Sequence, residues 1–166
     1  MTALLPTIAL AFFPLTVIWA GIGDLTTMRI PNRLVLTMLL GYALMAPLAG
    51  FSLVQMAYGL AAAAIVFCLG FSAFAMGGMG GGDVKLMAVA ALWLGLPQTG
   101  AFLLWTALAG ALLALVLMAF RSLPPPMMGS GWAFRLHTTE TRVPYGVAIA
   151  AAALIVYTSS PWMALQ

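Results

Sequence analysis

The chain has 166 residues, of which 64% are apolar and only 5% are charged, and its formal net charge is +3 at pH 7. A soluble domain carries roughly 25% charged residues, so this composition excludes a protein whose whole surface meets water. The basic residues are spread over several loops and form no continuous stripe. We therefore expect membrane lipid around the chain and no nucleic acid partner.

Charge-free runs mark the predicted membrane spans, because a spanning helix needs about 20 apolar residues. The runs at the two ends of the chain each fit one helix, and the runs 34–82 and 86–120 each fit two, with turns near Pro47 and Pro97. The sequence predicts six helices, at about 3–22, 34–49, 53–76, 84–95, 98–120 and 143–160.

These runs predict an all-α polytopic membrane protein, with residues 1–166 forming one membrane-embedded domain built as a bundle of six transmembrane helices. The first run lacks the basic start of a secretory signal, so we interpret it as a retained helix. The fourth helix reaches only about 18 Å, against a hydrocarbon core of about 30 Å. It is expected either to be tilted and buried by its neighbours or to start below the membrane surface.

All the basic residues fall on one side of this topology. The positive-inside rule makes that side cytoplasmic and places both termini on the periplasmic side. The acidic residues Asp24, Asp83 and Glu140 lie on the same side. The basic residues are Arg29, Arg33, Lys85, Arg121, Arg135 and Arg142.

Asp24 and Asp83 each follow a glycine-containing turn beside an apolar run. An acid near membrane depth is costly, and it indicates a functional site. Two carboxyl groups can hydrolyse an amide without a metal or a cofactor. The ionised one takes a proton from water and the protonated one polarises the carbonyl, and two neighbouring carboxyls share a proton because like charges repel.

The predicted helix ends indicate a role for each carboxyl. Asp24 is expected after the C-terminus of helix 1, while Asp83 is expected to N-cap helix 4, with Lys85 two residues further on. This favours Asp83 as the ionised base and Asp24 as the protonated acid. A structural alternative stays open, in which Asp83 only caps its helix and Asp24 pairs with Arg29 or Arg33.

The motifs around both aspartates resemble those of a known family. The run from Gly80 to Asp83 fits the GxGD signature of intramembrane aspartic proteases, and the stretch 80–88 resembles the GxGDxKLxA pattern of type IV prepilin peptidases. Asp24 is followed by Ile-Pro-Asn at 30–32, as in that family, and Val-Pro-Tyr-Gly at 143–146 resembles its proline-containing start of the last helix. The resemblance implies Asp24 and Asp83 as the catalytic pair and gives supporting places to Gly80, Gly82, Lys85, Pro31, Asn32 and Pro144.

The supporting residues have more local interpretations as well. Pro31 fits the first position of helix 2, where Asn32 would satisfy free backbone donors. Lys85 either biases the carboxyl pair or anchors the helix at the lipid headgroups. The glycines at 77 and 78 are expected to let their loop adapt around a substrate.

The resemblance implies a membrane aspartic endopeptidase that removes the leader peptide of type IV prepilins at the cytoplasmic face of the bacterial inner membrane. Its partner would be the prepilin, through a basic leader and the apolar helix after it. Cys68 is the only cysteine, so the paired CxxC motifs of longer members are lacking, and the chain is similar to the short TadV/CpaA-like branch that processes Flp-type prepilins without methylating them. A preflagellin-type peptidase and a small noncatalytic or proton-coupled membrane subunit remain alternatives.

Overall fold

The computed structural model describes residues 4–123, 131–137 and 143–165, and within these ranges every regular element is helical. This confirms the all-α prediction. Glu140 and Arg142, which entered the topology argument, lie outside the described residues. The helices are α1 (Leu4–Thr27), α2 (Asn32–Leu48), α3 (Leu53–Ala75), α4 (Gly81–Leu94), α5 (Leu96–Arg121), α6 (Gly131–His137) and α7 (Tyr145–Tyr157), followed by a 3-10 turn (Pro161–Leu165).

Four helical segments in the described ranges are long and apolar enough to cross a membrane, and they identify a membrane protein. The shorter α2 has 17 residues and α4 has 14. Large apolar side chains are exposed along α3 and α5, as expected for surfaces that face lipid. The four segments are Leu10–Thr27, Leu53–Ala75, Leu96–Arg121 and Tyr145–Ala164.

The short helix α4 forms the centre of the bundle. Every residue from Leu86 to Leu94 is buried, and α3 runs along α4 while α2, α5 and α7 also contact it. A helix that is apolar all round is suited to such a place. Its 14 residues reach about 21 Å at 1.5 Å per residue, less than the roughly 30 Å of a hydrocarbon core. The expected burial of the fourth helix is confirmed.

Several predicted helix ends were wrong where glycine or proline precedes a polar residue. The first helix continues through Asp24 to Thr27 instead of ending near residue 22. The fourth begins at Gly81, three residues earlier than predicted. Glycines at these positions do not stop a helix whose flanking residues pack against neighbouring elements. Both acidic side chains therefore lie inside helices.

An aromatic cluster joins the helices at the end of the bundle where α4 finishes. Trp93 is 1% exposed, stacks on Phe13 and Trp162, and donates from Nε1 to the carbonyl of Met38 in α2 at 3.0 Å. Trp162 donates in turn to the carbonyl of Trp93 at 2.9 Å. Buried indole N–H groups need such partners. The cluster fixes the C-terminal end of α4, so its N-terminal end is positioned at the opposite face.

Candidate active site

A cavity of about 480 Å³ lies at the end of the bundle where α1 finishes and where α2 and α4 begin. Both Asp24 and Asp83 line it. The sequence alone did not establish that these two side chains meet at one place. The full lining consists of Asp24, Met28, Arg29, Ile30, Pro31, Asn32, Gly80, Gly81, Gly82, Asp83 and Val143.

Asp24 lies in the last turn of α1 and is only 5% exposed. Its Oδ2 accepts a hydrogen bond from the backbone N–H of Gly146, at 2.7 Å. Gly146 belongs to the first turn of α7, where backbone N–H groups have no partner within their own helix. A side chain from the first helix therefore caps the start of the last helix, across 122 positions of sequence.

Gly146 is the site residue that the sequence analysis missed. A Cβ at this position would lie 2.7 Å from the Cβ of Asp24 and 2.8 Å from its Oδ2, where ordinary contacts begin at 3.4 Å. Pro144, which was predicted to support the site, is buried and N-caps α7 but does not line the cavity. The available signal was the Val-Pro-Tyr-Gly stretch at 143–146, which puts a glycine in the first turn of the last helix, although glycine is a poor helix former.

Asp83 is half-buried and lies in the first turn of α4, behind the N-cap residue Gly80. The predicted N-cap role for Asp83 was wrong, because α4 begins at Gly81 and Asp83 is its third residue. Its Oδ2 approaches Gly80 so closely that a Cβ there would lie 2.7 Å away. The carboxylate thus lies back over the helix N-terminus, where backbone dipoles favour negative charge.

The two outer glycines of the Gly-x-Gly-Asp run are each needed to avoid a steric clash, but with different neighbours. Gly80 leaves room for the carboxylate of Asp83, as described above. Gly82 leaves room for Ile30, whose Cβ would lie 3.2 Å from a Cβ at position 82. A Cβ on Gly81, between them, would meet only the ring of Phe74 at an ordinary 3.5 Å. The spacing of the motif therefore follows from two close approaches two residues apart, at Gly80 and Gly82.

Helix ends act on the two carboxyl groups in different ways. Asp83 faces the N-terminus of α4, and Asp24 accepts from the N-terminus of α7 although it also lies near the C-terminus of α1. The hypothesis of an ionised Asp83 and a protonated Asp24 was based on both helix ends and on Lys85. The start of α7 adds a dipole at Asp24 that opposes the one from the end of α1, so the assignment of the proton stays a prediction.

Two of the predicted supporting residues, Asn32 and Lys85, link the starts of α2 and α4. Pro31 is the N-cap of α2 and not its first helical residue, and Asn32 does not cap backbone donors as predicted. The Asn32 Oδ1 instead accepts from the Nζ of Lys85, at 3.0 Å. Both side chains are exposed, and Asn32 lines the cavity, so this hydrogen bond connects α2 and α4 at the rim of the cavity.

The turn between α1 and α2 is tight and contributes to the cavity wall. Met28 follows α1 with a positive φ of 55°, which side-chain-bearing residues seldom adopt, and its N–H donates to the carbonyl of Asp24 at 2.8 Å. This left-handed residue ends the helix and redirects the chain. Ile30 then reaches Gly82 at the start of α4.

A smaller cavity of about 220 Å³ adjoins the first near Asp83. The two cavities share Gly80, Asp83 and Val143, and the second is completed by the loop 77–79 and by Tyr145. Asp83 therefore lines both cavities. Among the described residues, no group of three His, Cys, Asp or Glu side chains comes together as a metal site would require.

Comparison with known protein families gives a match over much of the chain. The family model for the type IV leader peptidase family matches residues 11–115, which include both aspartates and the helices from most of α1 into α5. No curated protein matches, and no solved structure matches.

Proposed function

The chain belongs to the type IV leader peptidase family, and we propose that it is an aspartic endopeptidase that removes the leader peptide of type IV prepilins. Family membership makes the chain a peptidase. The observation that supports the aspartic mechanism is the single cavity lined by Asp24 and Asp83, the two acids of the matched region.

In the proposed reaction one carboxylate accepts a proton from a water molecule while the other, protonated carboxyl donates a hydrogen bond to the scissile carbonyl. The water oxygen adds to the carbonyl carbon. The C–N bond then breaks, and the departing amine receives a proton from the carboxyl pair. Residues lining the same cavity, Asn32 and Arg29, provide polar groups beside the bound backbone.

We propose Flp-type prepilins as the substrates, with their basic leader and following apolar helix. The motifs at 80–88 and 30–32 and the single Cys68 support placement in the short TadV/CpaA-like branch. The apolar helix of the prepilin would lie in the membrane beside the bundle, which leaves the leader junction at the level of the cavity.

We also propose that the six helices α1 to α5 and α7 together form the part of the chain that crosses the bacterial inner membrane, with both termini periplasmic and the cavity near the cytoplasmic face. The support is charge: Arg29 lines the cavity, and Lys85 contacts its rim through Asn32. Cysteines introduced at exposed Thr27 and exposed Ser159, in a Cys68→Ser chain, test this. An impermeant maleimide should label position 159 in intact spheroplasts and position 27 only after permeabilisation; the reverse pattern would refute the orientation.

The catalytic proposal is tested by co-expressing the chain with a Flp-type prepilin and following pilin size. Asp24→Asn and Asp83→Asn keep the shape of each side chain and an acceptor oxygen, so local packing should survive. Loss of the acid–base group should slow cleavage by about 10²–10⁴-fold. Cys68→Ser, on the exposed face of α3, is the control.

Each variant must also be shown to insert into the membrane at the parent level. If either Asn variant cleaves at the parent rate, that aspartate is structural and the paired mechanism is wrong. If the parent leaves prepilin intact while inserting normally, the substrate class is wrong.

A further inference from the structure

We propose that Gly146 is a positioning residue for Asp24: its backbone N–H and its lack of a side chain together hold the Asp24 carboxylate facing the cavity. This rests on the proposed function, because positioning matters only if Asp24 takes part in the reaction. Gly146 itself lies outside the family-matched region 11–115.

The first observation is the hydrogen bond. The Gly146 N–H donates to Oδ2 of Asp24 at 2.7 Å, and both residues are buried. Bonds from backbone N–H groups to carboxylates are short and roughly twice as strong as neutral ones. One carboxylate oxygen is thereby held at the start of α7, and the other remains available to the cavity that Asp24 lines.

The second observation is steric and independent of the bond. A Cβ on Gly146 would meet three atoms of Asp24: its Cβ at 2.7 Å, its Oδ2 at 2.8 Å and its Cγ at 3.0 Å. The Cβ of Asp24 is attached to the α1 backbone, so rotation of the side chain cannot relieve the contact. Any side chain at position 146 must therefore displace the carboxyl group or separate α1 from α7.

A close contact in the aromatic end of the bundle provides a matched control. A Cβ on Gly41 of α2 would lie 2.6 Å from the Cζ atom of Phe12 in α1. Phe12 stacks on Trp93 and lines neither cavity that Asp83 shares. Gly41→Ala thus crowds α1 about as severely as Gly146→Ala does, but against Phe12 and not against Asp24.

The kinetic test uses the purified chain and a purified Flp-type prepilin in detergent micelles. A displacement approaching 1 Å at a reacting group costs about 100-fold in rate, so Gly146→Ala should lower kcat and kcat/KM together by about that factor, with KM unchanged. Gly41→Ala should keep kcat near the parent value. A Gly146→Ala chain with parent kcat, or a Gly41→Ala chain with an equal loss, would overturn the positioning role.

A measurement that needs no activity completes the test. In the chain labelled with 15N-glycine, which contains 17 glycines, the Gly146 amide is assigned by its loss in Gly146→Ala. Asp24→Ala should shift this resonance strongly upfield in its proton dimension, whereas Asp83→Ala should leave it in place. An unmoved resonance in Asp24→Ala would show that the bond is absent and would overturn the proposal even if cleavage is normal. If Asp24→Ala shifts the resonance but the parent chain cleaves no prepilin, the hydrogen bond is present and the proposed function is refuted instead.

Discussion

Replacing Gly59 by alanine should separate the two helices that pack most closely in the bundle. Gly59 lies on α3, and a Cβ there would come within 2.9 Å of the backbone carbonyl of Leu92 in α4 and within 2.6 Å of the hydroxyl of Tyr42. Small residues at helix interfaces allow such approaches in membranes. The Leu92 carbonyl belongs to the buried centre of the fold, so it cannot move without moving α4.

The expected size follows from two opposing effects. Overpacking of a filled interior costs about 1–3 kcal/mol, while exchanging glycine for alanine within a helix returns about 0.5–1 kcal/mol. Gly100→Ala measures the second effect alone, because a Cβ on Gly100 in α5 would meet nothing within 4 Å. The difference in free energy of unfolding between the two variants therefore isolates the crowding cost.

The assay is thermal unfolding in detergent micelles, followed by tryptophan fluorescence, which senses the buried Trp93 and Trp162. In a chain of this length each kcal/mol corresponds to about 2–4 °C, so the melting temperature of Gly59→Ala should lie about 2–12 °C below that of Gly100→Ala. Equal melting temperatures would refute the reasoning, since α3 and α4 would then be able to move apart without cost.

Two further outcomes concern the rim of the cavity. Lys85→Ala and Asn32→Ala should each lower kcat by less than about tenfold. The double variant should lose no more activity than either single variant, because each change breaks the same 3.0 Å bond. Additive losses in kcat would contradict a shared bond. Gly82→Ala should slow prepilin cleavage more than Gly81→Ala, because its Cβ would crowd Ile30 at 3.2 Å; equal rates for the two variants would contradict that explanation.

Much of this protein could be predicted from local features of the sequence. The long apolar runs predicted an all-helical membrane protein, because backbone groups in lipid must be satisfied within the helix. The acids beside glycines identified Asp24 and Asp83, since charges are costly at such depth and are retained for a reason. The family suggested by the two aspartate motifs is confirmed by the match over residues 11–115. The catalytic roles and the orientation stay predictions.

The tertiary structure decided the features that depend on contacts between distant helices. It brought Asp24 and Asp83 to one cavity, set Gly146 against Asp24, and paired Lys85 with Asn32. It also placed the end of α1 and the start of α4 at other residues than predicted, because packing outweighs the weak preference of glycine for turns. Hydropathy and spacing describe one helix at a time, whereas these contacts depend on how α1, α2, α4 and α7 converge at one end of the bundle.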